Sequence, residues 1–174
     1  MKKLESTWYN MAIVLTAIAV VAGAALGYVN SITAPTIEAL KAQQEKDAEQ
    51  EVLNGQEGSA IKITDPKGFG GALTVMVGLA QDGTILGYKV LESSETPGLG
   101  AKAQDWFQKG QKGDIIGKQA GKLEVSKDGG EVDAITASTI TSRAFLRCIN
   151  AAYKTLSEND AQSGASPQAK PNNN

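Results

Sequence analysis

The sequence predicts an α+β fold: one N-terminal membrane-spanning helix, then an antiparallel-sheet domain with flanking helices. Three observations carry this. Residues 8–32 hold no charge, and their apolar heart at 11–29 matches the roughly 20 residues that cross a bilayer core. From residue 60 the apolar pattern has a period of two, as in strands. From residue 141 it becomes helical: Thr141, Phe145, Ile149, Ala152 and Leu156 fall on one stripe.

Taken in order, Lys2 and Lys3 precede the apolar run, and Trp8, Tyr9 and Tyr28 sit near its ends, where aromatic rings favour the headgroup level. The basic flank places the short tail in the cytoplasm and the rest of the chain outside. A cleaved leader competes with this reading, because Ala22-Gly23-Ala24 resembles a small-residue cleavage site. Leu26, Tyr28 and Val29 continue the apolar run past that site and favour an uncleaved anchor. Residues 31–53 read as a second helix leaving the membrane, with Thr33 as its cap and Pro35 in its first turn. Glu38, Lys41, Glu45, Lys46 and Glu49 give it a solvated face, so it reads as a stalk that Gly55 ends.

Residues 60–64 alternate as a strand, and Asp65-Pro66-Lys67-Gly68 is a turn. Residues 72–79 form the strongest strand candidate. Gln81-Asp82-Gly83 is a hairpin signal, and residues 84–91 return as its partner. These two strands are the expected sheet centre. Residues 103–107 suggest a short helix whose Trp106 and Phe107 anchor the core, with stacking near a ligand as the alternative. Residues 108–118 are a polar, Gly-rich loop. Residues 122–126 alternate as a further strand, and 131–135 read as a short strand feeding the final helix. After Leu156 the composition turns Ser-, Ala-, Gln-, Asn- and Pro-rich, which predicts a disordered tail. The organisation is therefore a tail and anchor at 1–32, a stalk at 33–55, a folded domain at 56–156 and a tail at 157–174.

Composition narrows the chemistry. The net charge of −2 argues against a nucleic-acid partner. The chain of 174 residues has no histidine, which removes His-based metal sites, Ser–His and Cys–His catalysis and a His-ligated haem. Its single cysteine, Cys148, cannot build a four-Cys cluster or an internal disulfide, and lies in an apolar helical pattern as a small core residue. No metal site is expected, and redox chemistry requires a bound organic cofactor.

Two stretches exceed ordinary folding needs. Between Thr136 and Ser142 five hydroxyl side chains precede the last helix, and an N-cap uses only one or two of them. Thr136-Ala137-Ser138-Thr139-Ile140-Thr141 resembles the flavinylation motif of the FMN-binding subunits of the Rnf and Na+-translocating NADH:quinone reductase complexes. The family pattern is Ser/Thr-Gly-Ala-Thr-x-Thr; Ala137 stands where it has Gly, and Ser138 where it has Ala. The second stretch, Glu95-Thr96-Pro97-Gly98-Leu99-Gly100-Ala101-Lys102, is a tight turn by its own residues and is similar to the same family's other signature. The 70–91 hairpin resembles that family as well.

The resemblance implies FMN joined by a phosphoester to Thr141, with Thr139, Ser138 and Thr136 capping or lining the phosphate. Thr141 lies on the apolar stripe in the first helical turn, where free N–H donors favour a phosphate. Arg143, two residues on, is a possible phosphate partner or a solvated side chain. For the second stretch the resemblance implies a flavin cradle: Thr96, Gly98 and Gly100 bring backbone close, and Leu99 packs on the ring. Glu95 either accepts from the flavin or braces the loop, and Lys102 either supplies charge or is solvated. The resemblance also implies a flavin transferase as transient partner, with Asp133 part of what it recognises. It implies further membrane subunits of an Rnf complex, a single-pass location in the inner (plasma) membrane and an extracytoplasmic FMN domain. The chain then carries electrons for an ion-translocating ferredoxin:NAD+ oxidoreductase rather than acting as a stand-alone enzyme. Its shortness favours the G-type member of Rnf over the C-type member of the quinone reductase. An exported interaction module without catalytic function is the alternative from another class.

Overall fold

A computed structural model describes residues 8–163. Helix α1 runs unbroken through Trp8–Leu53 and contains Pro35. The expected fresh start at Thr33 is absent: its Oγ1 donates to the Val29 carbonyl one turn back, so the hydroxyl serves the helix interior and caps nothing. The helix ends where Asn54 and Gly55 both take left-handed backbone conformations. The chain divides into two compact units with the boundary after Gln43. In the first, the α1 residues form one apolar helix with no buried surface in its most hydrophobic window, long enough to cross a membrane.

The second unit holds the last turns of α1 and everything after it. Strands β1 (Ser59–Asp65), β2 (Leu73–Leu79) and β3 (Ile85–Ser93) form an antiparallel sheet in the order β1-β2-β3. The Asp82-Gly83 hairpin forms as expected: Asp82 accepts from the Thr84 N–H at 2.9 Å. Every residue of β2 is buried, because both faces of the central strand are covered. Leu73, Val75, Val77 and Leu79 face the main core, which helix α3 (Thr139–Ser163) closes. Met76 packs on the other face with Ala48 and Val52 of α1. Gly78 and Gly87, paired across β2 and β3, leave room for Val52; a Cβ at Gly87 would lie 2.7 Å from its carbonyl oxygen. Lys62–Glu45 and Lys89–Glu51 ion pairs flank this contact. The turns of α1 after Gln43 are therefore part of the domain, not a free stalk.

Short helix α2 (Ala103–Trp106) carries Trp106 and ends at Phe107. Phe107 stacks on Phe145 with ring centroids 4.3 Å apart, and Tyr88 meets Phe145 edge-on at 4.7 Å. The Trp106 indole donates to the Asp133 carbonyl at 2.8 Å. Both aromatics serve the core. Residues 122–126 and 131–135 are not strands. One parallel bridge, Val125 with Val132, joins them, and a 3₁₀ turn Ser126–Asp128 lies between. Parallel strands need a crossover of a dozen or more residues to extend a ladder. The connection here is far shorter, so pairing stops at one bridge. The alternation at 122–126 reflects loop residues that bury Val125 and half-bury Leu123. Helix α3 continues past Leu156 to Ser163, beyond the start of the expected tail; residues 164–174 lie outside the described range.

Candidate functional site

The stripe on α3 behaves as its spacing predicts. Thr141, Phe145, Ile149 and Ala152 are fully buried, and Leu156 nearly so. Cys148 is buried with them, and burial pushes its thiol up to about 12, so it holds no thiolate at neutral pH. At the start of α3 the Ser138 carbonyl accepts from the Ser142 N–H at 3.0 Å. The N–H groups of Thr139, Ile140 and Thr141 then have no intrahelical acceptor.

The hydroxyls before and in this first turn have different duties. Ser142 Oγ is used in both directions, donating to the Ser138 carbonyl and accepting from the Ile135 N–H, each at 2.9 Å. Thr139 Oγ1 accepts from Lys127 Nζ at 3.2 Å. Thr136 is exposed, and Ser138 lies at the rim, nearly buried. Thr141 Oγ1 is the exception: among the described residues it is the buried side-chain oxygen with no hydrogen-bond partner. An unpaired buried hydroxyl costs about 1–3 kcal/mol.

The second sequence stretch lies directly against this oxygen. A Cβ at Gly100 would sit 2.8 Å from Thr141 Oγ1 and 2.6 Å from Glu95 Oε2, so only glycine fits here without a shift. Together the two stretches line a cleft of about 330 Å³ bounded by Thr96, Leu99, Gly100, Ser138, Thr139 and Ile140, with Glu95, Ala137 and Phe69 completing it. Phe69, Leu99 and Ile140 keep 69%, 41% and 48% of their surface exposed. That is a concentration of unsatisfied apolar surface around one opening, suited to an aromatic ring. Glu95 braces the site: its carboxylate accepts from the Phe69 N–H at 2.8 Å and the Gly70 N–H at 3.2 Å. Phe69 is the residue sequence reasoning missed; the signal was an aromatic inside a Gly-rich turn, Gly68-Phe69-Gly70-Gly71.

Several expectations move. Gly98 and Lys102 are exposed and stand outside the cleft lining, as does Thr136. Arg143 forms a two-pronged pair with Asp128 at 2.6 and 2.7 Å. The Arg143 hydrogen bond holds the Asp128 carboxyl below its ordinary range. Asp133 is exposed and accepts from Ser126 Oγ at 3.3 Å. Lys127 meets the hydroxyl cluster through Thr139.

Ala137 sits at φ +62°, a left-handed conformation that costs a non-glycine residue roughly 1–2 kcal/mol. Ala137→Gly is expected to raise stability by about 0.5–1 kcal/mol after allowing for glycine's larger unfolded-state entropy. A urea titration checks this, and an unchanged or lower midpoint contradicts it.

A membrane-length helix, an orphaned buried threonine and an apolar cleft beside it are the features of a membrane-anchored protein with a cofactor site. The FMN-binding domain family matches residues 68–154, and the RnfG N-terminal region family matches residues 1–54. The G subunit of the ion-translocating oxidoreductase complex of Vibrio atlanticus is 35% identical over 143 residues, covering 79% of this chain and 68% of that protein. The G subunit of the Na(+)-translocating ferredoxin:NAD(+) oxidoreductase complex of Acetobacterium woodii is 30% identical over 206 residues, covering 90% and 98%. The corresponding Yersinia pestis protein is 39% identical over 95 residues but is covered over only 46% of its length. The chain belongs to the G-subunit family of Rnf-type ion-translocating oxidoreductase complexes and carries its FMN-binding domain. Between the two complexes the sequence resembles, these relatives fall on the Rnf side.

Proposed function

We propose that this chain is the membrane-anchored, flavin-carrying electron-transfer subunit of an Rnf-type ion-translocating ferredoxin:NAD+ oxidoreductase complex, with FMN joined covalently to Thr141. The observation that carries the reading is Thr141 Oγ1: buried, without a partner, in the first turn of α3 and facing the glycine loop. Ser142 and Thr139 have their oxygens engaged elsewhere, which supports one acceptor among the hydroxyls.

Attachment joins Thr141 Oγ1 to the FMN phosphorus of FAD. The phosphorus–oxygen bond to AMP breaks, and AMP leaves while the hydroxyl gives up its proton. A flavin transferase catalyses this as a transient partner, and the exposure of Asp133 just before the motif supports its recognition there. The bound FMN supplies a centre that takes electrons singly or in pairs, which suits a relay between unlike partners. This chain's residues do the rest. The open N–H groups of α3 would meet the phosphate, Phe69, Leu99 and Ile140 would offer the ring apolar contact, and Glu95 fixes the two loops that carry Phe69 and Leu99. The other membrane subunits of the complex are the standing partners. The basic flank at Lys2 and Lys3 supports a cytoplasmic N-terminus and an extracytoplasmic FMN domain. A C-terminal reporter active only outside the cytoplasm agrees with that orientation, and cytoplasmic activity reverses it.

The test of covalent attachment is fluorescence under ultraviolet light after denaturing electrophoresis. Chain co-expressed with a flavin transferase gives a fluorescent band at its own mass. A dark band with flavin in the free fraction overturns the covalent assignment.

A further inference from the structure

The Thr141 oxygen has no open approach: it is fully buried, and the Gly100 backbone lies against it. No phosphorus fits one bond length from it in this arrangement. Something must move, and the hydrogen bonds identify what. Leu99 N–H and Ala101 N–H donate to the Thr96 carbonyl at 3.1 and 3.3 Å, and Lys102 N–H to the Leu99 carbonyl at 3.1 Å. Among the described residues, no hydrogen bond ties residues 96–102 to α3. Both ends, by contrast, are fastened. Glu95 is held by the Phe69 and Gly70 N–H groups, and the Ala103 carbonyl accepts from Tyr88 Oη at 2.9 Å.

We propose that Thr141 is modified only in an open form of the domain, in which residues 96–102 swing off the start of α3 on fixed anchors at Glu95 and Ala103. This rests on Thr141 being the flavin acceptor. Closed, the segment hides the hydroxyl; opened, it exposes the oxygen and the free N–H groups together. The modification rate is set by the fraction of chains that are open, and the left-handed turn at Gly98 helps to set that fraction.

Gly98 tests it. Its φ is +79° and a Cβ there would touch nothing, so Gly98→Ala strains the closed segment without blocking it. A left-handed alanine, offset by the smaller entropy of the opened alanine chain, raises a minor open population about two- to fivefold. Initial flavin transfer to unloaded Gly98→Ala chain, read by intact mass with limiting transferase, is expected to rise by that factor. Gly117→Ala, at φ +82° and equally free of contacts, strains the fold elsewhere and is expected to leave the rate unchanged. An unchanged or slower rate for Gly98→Ala, or equal acceleration by Gly117→Ala, overturns the proposal. Hydrogen exchange on unloaded wild-type chain gives an independent reading. Amides of Leu99, Ala101 and Lys102 are expected to exchange at least about tenfold faster than those of Phe145 and Ile149; equal protection overturns it. Labelling of Thr141→Ala, run alongside, reports on the acceptor assignment alone.

Discussion

Thr141→Ala is expected to abolish covalent flavin while leaving the fold intact. Intact mass of the wild-type chain, co-expressed with a flavin transferase, gains one FMN phosphoryl group; the variant gains none. Both parts of the result follow from the site. The hydroxyl has no partner to lose, so its removal relieves a buried unsatisfied group worth about 1–3 kcal/mol. The γ-methyl lost with it costs about 0.8 kcal/mol of burial. The balance is a gain of about 0–2 kcal/mol in the stability of unloaded chain, read from its urea midpoint. Thr139→Ala, which removes the oxygen that Lys127 meets, is expected to keep its label. Full labelling of Thr141→Ala, or loss of label only through loss of fold, refutes the assignment.

Phe145→Ala is expected to give the largest loss of stability, about 3–5 kcal/mol. Phe145 is fully buried, lies parallel to Phe107 at 4.3 Å and takes the edge of Tyr88 at 4.7 Å. One truncation therefore removes a ring and strips two others of their partner. Tyr88 compounds this, because its hydroxyl fastens Ala103 and accepts from the Phe107 N–H at 3.2 Å. Burial keeps that phenol protonated far above neutral pH, so it stays a donor. Whole-domain stabilities are usually about 5–15 kcal/mol, and the variant is expected to sit near the margin. A denaturation midpoint within about 1 kcal/mol of wild type contradicts the role given to this cluster.

Elements governed by local chemistry were legible before the structure. The hairpin was written in Asp82-Gly83, the inward aim of Thr141 in its helical spacing, and the small core role of Cys148 in its neighbours. The cleft was half legible, since both loops carried residues beyond ordinary turn needs. What sequence could not supply was partner choice across long separations. Arg143 had one free-looking charge in sequence and a committed partner, Asp128, in space. Glu95 had two open roles, and hydrogen bonds from Phe69 and Gly70, some 25 residues away, decide between them. The alternation at 122–126 promised a strand, but alternation records burial and cannot report whether a neighbouring strand is available. Pro35 invited a helix start, yet a proline also sits inside a longer helix when its surroundings hold the rest of the backbone.

Val52 reaching the glycines of β2 and β3 has a practical result for anyone shortening the chain to remove its anchor. A soluble version cut at the end of α1, near Gly55, would lose Ala48 and Val52. It would leave Met76, Leu91 and the bare backbone at Gly78 and Gly87 open to water. Such a face is a template for self-association. The cut that preserves a well-behaved domain lies at or before Gln44, where the compact unit itself begins.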